Sequence, residues 1–278
     1  MRGWLQALRT PLATWRAHAQ ARALARRAIP DDLWKRTRIR YPFLQRRNPA
    51  DEAALRRMTS LFLDRKEFSA AGGLRLSNDV VVAIAAQACL PVLHLGLERY
   101  DGFVGIVVHP DPVRVRREVV DDAGVQHEYD EELAGEAMQG GPVMLSWHDV
   151  RRGGRDAGSP YNVVIHEFAH VLDLADGLSD GVPLLPADLP RARWTSVMAQ
   201  AFEDLVQAVD AGEETLLDPY GAQSQDEFFA VASEAFFVAP DALRAAAPPL
   251  YGLLAQFYRQ DPAVERPERI AQRPTFSG

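Results

Sequence analysis

The run HEFAH at residues 166–170, set inside PYNVVIHEFAHVLDL, constrains this chain more than any other feature. Apolar residues recur around it with a helical period, and Pro160 suits a helix start. On a helix, residues four apart project to one side, so His166 and His170 can present two imidazoles to a single ion. Glu167 lies beside them and can reach a water on that ion rather than the ion itself. Zinc brings the pKa of such a water down to about 7, and a neighbouring carboxylate can then take its proton and pass it to a leaving amine. The bland reading is a helix with two histidines on a partly buried face. The metal reading is favoured because the motif opens a helix that follows a strand-like segment, as its mechanism requires.

A catalytic zinc takes three protein ligands and keeps one open position. Three sources of a third ligand stand out: Asp176, Asp173, and a glutamate on the later helix around Glu227 and Glu234. Asp176 occupies the place of the last His in the longer motif HExxHxxGxxH. That motif has Gly where this chain has Asp173, and the glycine makes the turn that brings the chain back to the metal. Asp173 reads either as a partner for an imidazole N–H or as a solvated residue at the helix end. The segment YGAQSQDEFFAVASEAFF, residues 220–237, keeps two glutamates seven apart among aromatic residues. Buried carboxylates are costly unless paired or coordinating. Against this, Ser224 to Glu227 reads S-x-x-E, a capping box, and Glu234 reads equally as a polar-face residue or as the partner of a ligand. The residues alone leave the third ligand open.

The rest of the chain reads as an α+β protein, because strand-like segments precede a run of helices without strict alternation. Helical patterns cover Asp51 to Phe68, with Asp51 as N-cap, and the first part of the apolar run from Asp79 to Leu95, broken at Pro91. Strand-like segments follow at Phe103 to His109, Val113 to Val120 and Pro142 to Val150, and their Pro, Gly and Asp separators suggest a small, mostly antiparallel sheet. Helices then run from Pro160 to about Leu174, Arg191 to about Ala211, Ser224 to about Val238 and Asp241 to about Tyr258. The expected organisation is a basic amphipathic helix over 1–29, a catalytic-type domain over 30–260 and a polar tail over 261–278.

Charge is unevenly spread: residues 1–57 hold 14 of the 31 Lys+Arg and 4 of the 38 Asp+Glu, which puts them at +10 and the remainder at −17. Such a segment can meet nucleic acid, an acidic lipid surface or the acidic body of its own chain; the last is the simplest reading and the lipid contact stays open. The single cysteine, Cys89, lies in an apolar stretch, which excludes both an internal disulfide and a Cys-based zinc site. No h-region of a secretory signal and no run of about 20 apolar residues is present, so a cytoplasmic location is expected.

HEFAH followed by LD, the upstream VMLSWHDV, and the downstream Tyr220 with Glu227 and SEAFF together resemble the MtfA family of zinc metallopeptidases, in order and across most of residues 30–260. The resemblance implies a zincin-like fold similar to the catalytic domain of anthrax lethal factor, with Glu227 as third zinc ligand and Tyr220, seven residues earlier, as a hydroxyl donor to a tetrahedral oxyanion. It also implies aminopeptidase-like cleavage of a peptide substrate and binding of a transcriptional repressor of sugar-uptake genes, with no direct contact to nucleic acid. The alternative is a non-catalytic protein that sequesters the repressor and holds an idle or structural zinc. An upstream strand in such an enzyme pairs with extended substrate, so Trp147 and His148 could border a cleft, although packing is the simpler role for both.

Overall fold

The computed structural model describes residues 9–120, 126–133, 135–137, 140–154 and 159–264. The first eight residues and the tail beyond 264, on which parts of the expected terminal segments fall, lie outside these. Helix α1 (Arg9–Arg26) is followed by α2 (Asp31–Arg40) and by α3 (Pro49–Arg65), whose N-cap is Asn48 rather than Asp51. The Asn48 side chain accepts the Asp51 N–H at 2.9 Å, and Pro49 holds the first turn. Arg26 grips the Asp64 carboxylate of α3 through two nitrogens at 3.0 and 3.3 Å, while Arg46 reaches Asp241 at 2.8 Å. Part of the basic segment thus meets acidic groups of its own chain.

The helical pattern expected to run to Phe68 stops at Arg65, and Glu67–Ala70 form strand β1. Lys66 makes the join: its ammonium donates to the Tyr100 and Phe103 carbonyls and sits 3.7 Å from the centre of the Phe103 ring. Helix α4 (Asn78–Cys89) is capped by Ser77 and buried along nearly its whole length, as its Ala- and Val-rich sequence demands. Strand β2 (Gly105–His109) leads into a separate hairpin of β3 (Val113–Val120) and β4 (Gln126–Leu133), after which come β5 (Gly135–Ala137) and β6 (Val143–Ser146).

The sheet differs from the expected antiparallel one. Its order is β1-β2-β6-β5, with β1, β2 and β6 parallel and only the edge strand β5 antiparallel. The segment 113–120 pairs with β4, not with β2, so the chain leaves the sheet as a hairpin and returns to enter β6 in the direction of β2. Turn residues beyond His109 look the same in either topology, and only the long-range pairing separates them. Ile106 lies opposite Val143 and Val108 opposite Leu145, and all four are buried. The stretch expected as one strand to Val150 becomes helix α5 (Trp147–Arg152) after Ser146, whose hydroxyl accepts the Asp149 N–H.

Helix α6 (Val163–Asp173) packs on this layer through Phe168, whose ring contacts Phe62, Tyr100 and Phe103 at centroid distances of 5.0 to 5.8 Å. The remaining helices are α7 (Arg191–Asp210), α8 (Gln225–Val238), α9 (Pro240–Ala246) and α10 (Pro248–Tyr258). The one helix expected over 241–258 is two, because Pro248 and Pro249 cannot continue the first. Trp194 of α7, Phe229 of α8 and Phe257 of α10 form one aromatic cluster at 5.1 to 6.0 Å. Helix α8 also packs along α6, and the candidate site forms where these two helices meet.

Candidate metal centre

Asn162 starts α6: its side-chain oxygen accepts the Ile165 N–H at 3.0 Å. Val163, Val164, Ile165, Phe168, Ala169 and Leu172 fill the core side, which fixes the rotation of the helix and aims His166 and His170 together, with Nε2 atoms 3.2 Å apart. Glu227, in the first turn of α8, places Oε2 3.0 Å from His166 Nε2 and 3.4 Å from His170 Nε2. Ligand atoms of His166, His170 and Glu227 all lie within 4.8 Å of one another, the one group of three or more His, Cys, Asp or Glu with this property among the described residues. The capping box that competed for Glu227 does not form, since Ser224 Oγ donates to Asp226 at 2.5 Å instead.

Glu234, two turns along α8, takes the opposite side of the same imidazole. Its Oε1 is 2.8 Å from His166 Nδ1, and its Oε2 accepts the backbone N–H of Asn162. Asn162 Nδ2 in turn donates to Gln87 Oε1 at 2.8 Å, and Gln87 Nε2 to Ala83 O at 3.0 Å. Glu234, Asn162 and Gln87 are all buried, so a polar chain runs from α4 through the core to the ring. Such a partner on the far nitrogen fixes the orientation of a ligating histidine and raises its basicity.

Electrostatics make the site demand positive charge. Burial opposes a proton on His166, but hydrogen bonds to Glu227 and Glu234 outweigh it and hold the imidazole well above its ordinary pKa. Burial likewise raises Glu227, and His166 and His170 more than reverse this, bringing the carboxyl down to about 2. A proton on each nitrogen of His166, or a cation among the three converging donor atoms, answers the same demand. Two imidazole nitrogens and one carboxylate oxygen are a donor set suited to a transition-metal ion. Glu167, outside the cluster but next to it in sequence, is 5% exposed, and its burial pushes the carboxyl up to about 7 against the pull of His166 and His170.

Tyr220 sits on a 3-10 turn, Pro219–Ala222, and its hydroxyl donates to Glu227 Oε1 at 3.4 Å. The ring is 37% exposed, so its outer side faces solvent while its tip borders the donor cluster. Asp176 is elsewhere, accepting the Leu178 N–H at 3.1 Å on the surface. Asp173 bonds no imidazole: its Oδ2 accepts the Gly181 N–H at 2.9 Å, and its Oδ1 is buried without a hydrogen bond. The Arg40 and Arg151 guanidinium groups lie 5.5 and 6.0 Å from the Trp147 ring centre, and His148 lies beside Asp149 at 3.5 Å. The sequence reading did not single out Asn162 and Gln87, though each left a signal: an Asn just before an apolar helix, and a lone amide inside an Ala-rich one.

The chain matches the glucose-regulated metallopeptidase M90 family over residues 13–259. It belongs to that family. Among its relatives are Mlc titration factor A of Klebsiella pneumoniae, 36% identical over 237 residues that cover 84% of this chain and 88% of that protein. Mlc titration factor A of Salmonella arizonae is 35% identical over 237 residues, with 84% and 92% covered. The uncharacterised protein slr2042 of Synechocystis is 34% identical over 226 residues, with 81% and 82% covered. Membership in M90 makes this a metallopeptidase-like protein of α+β architecture, a family character that implies a metal ion, and His166, His170 and Glu227 form a cluster that could hold one. Among the described residues no helix is long and apolar enough to cross a membrane.

Proposed function

We propose that this M90 member is a zinc-dependent peptidase that works in the cytoplasm and hydrolyses peptide amide bonds in the manner of an aminopeptidase. The observation that carries the reading is the placement of Glu167, a buried carboxyl held beside the donor cluster and not drawn into it. A structural metal needs ligands but no adjacent base. His166, His170 and Glu227 would hold the ion. Tetrahedral zinc with bonds of about 2.0–2.1 Å sets its donor atoms roughly 3.3 Å apart, and the observed separations of 3.0 to 3.4 Å agree with this.

A bound zinc ion would acidify a water and polarise the scissile carbonyl. Glu167 takes the proton of the attacking water on its carboxylate and returns it to the leaving amine. Tyr220 turns its hydroxyl from Glu227 to the oxyanion of the tetrahedral intermediate, a reach favoured by a ring already bordering the cluster. Glu234 keeps the Nε2 of His166 aimed at the ion.

A second reading takes its lead from the name of two relatives, Mlc titration factor A: the chain would bind a transcriptional repressor, and on that reading the metal centre would be idle or structural. One experiment separates the two. The full chain and Glu167→Gln are purified, their zinc content is measured, and hydrolysis of amino-acid and short-peptide amides is followed with and without a chelator. The peptidase reading expects one zinc in both proteins and a rate at least ~100-fold lower in the variant. Zinc in both with no cleavage by either sinks it in favour of repressor binding.

A further inference from the structure

We propose that Gly135 is a positioning residue for the Glu167 carboxylate: the missing side chain at this point of the edge strand lets the carboxylate lie against β5. The inference rests on the reading of Glu167 as general base. A Cβ at position 135 would stand 2.4 Å from Glu167 Oε1, 2.5 Å from Cγ and 2.6 Å from Cδ. Heavy atoms at such distances overlap deeply, and a turn of the carboxyl group about its last bond gives no relief because Cγ is itself too close. The whole side chain would have to swing into another rotamer.

Conformational freedom does not explain this glycine. Gly135 is not among the glycines with positive φ, so its backbone admits any residue. Nor can the strand shift to make room. Gly135 pairs with Leu145, Glu136 with Met144 and Ala137 with Val143, and Val143 and Leu145 are buried, so a slip of one residue would misplace the pairing along the whole edge. On the other side, α6 is fixed by Phe168 in its aromatic cluster. The Glu167 carboxylate of α6 thus lies against the paired backbone of β5, and the width of the gap is set by hydrogen in place of a methyl group. A glycine within a strand commonly marks such a close approach. Misplacing a base by an ångström costs orders of magnitude in rate without touching the metal ligands.

The test is a cycle of four full-length proteins: wild type, Gly135→Ala, Glu167→Ala and the double variant. Thermal melting of the metal-free proteins reads the contact without any activity. Gly135→Ala is expected to lower the melting temperature by roughly 2–10 °C in the wild-type background and by little or nothing in Glu167→Ala, where Cγ, Cδ and both oxygens are gone. Folding of the double variant where Gly135→Ala alone fails supports the same conclusion. With zinc loaded, Gly135→Ala should keep its zinc and its KM and lose kcat by about 100-fold. Equal shifts in both backgrounds, zero or failure to fold included, overturn the proposal, as does an unchanged kcat with zinc bound. If the melting cycle shows the coupling while wild type cleaves nothing, Gly135 still positions Glu167 and it is the general-base reading that fails.

Discussion

At His166 two carboxylates address one ring from opposite edges, Glu227 at Nε2 and Glu234 at Nδ1. They differ in surroundings: Glu227 is partly exposed at the start of α8, whereas Glu234 is 3% exposed and also holds the Asn162 N–H. The first belongs to the converging donor group, and the second holds the far nitrogen of the ring. Glu234→Gln keeps the volume and one acceptor but removes the charge that draws the Nδ1 proton. Zinc affinity should fall by about 10–100-fold, with stoichiometry unchanged at saturation. Competition against a chromophoric chelator measures this, and a wild-type affinity would remove Glu234 from the metal centre. The sequence marked both glutamates as facing one way but could not rank them, since spacing along a helix says nothing about which turn meets α6. The convergence of His166 and His170, with Glu167 beside them, was legible because a single helix fixes their relative placement, while Glu227 was chosen only through the family resemblance.

Between elements, Asp173 joins the end of α6 to the turn that leads towards α7. Gly181 donates its N–H to Asp173, accepts the Trp194 indole N–H at 2.9 Å, and has φ of +72° with the Gln225 carbonyl against it. Burial raises the Asp173 carboxyl to about 6, above its ordinary value of 3.8, although the Gly181 N–H pulls it down. The folded chain therefore holds this proton more tightly than the unfolded one. The stabilisation is complete below pH ~3.8 and is lost as pH rises through about 6. Asp173→Asn keeps an acceptor for Gly181 and is neutral throughout, so relative to it the metal-free wild type should weaken by about 1–3 kcal/mol between pH 4 and pH 7. Urea titrations at the two pH values give the difference directly, and a pH-independent difference would contradict the assignment. Helices were the elements best read from sequence, because their period and caps are local. β1 overlaps the last two residues of an expected helix, β5 is three residues long, and the parallel order of β1, β2 and β6 depends on partners far apart in the chain.

For the molecule as a whole, the donor cluster is a clasp between α6 and α8, which lie on either side of the long segment 174–224. A metal ion that binds only the folded arrangement stabilises it by mass action, by about 2.7 kcal/mol when free zinc stands 100-fold above its dissociation constant. For a chain of this size that corresponds to a rise of roughly 5 °C in melting temperature. Glu167→Gln should show the full rise, since Glu167 lies outside the converging donor group. Glu227→Ala should lose most of it, because the clasp then has donors on α6 alone. Calorimetry of the three proteins, each with zinc and with a chelator, provides the comparison. A rise that survives Glu227→Ala would mean that the ion is held without α8, and the inter-helix clasp would have to be abandoned even if the two histidines bind zinc. Loss of the rise in Glu167→Gln would draw that carboxylate into the ligand set and leave the proposed peptidase without its base.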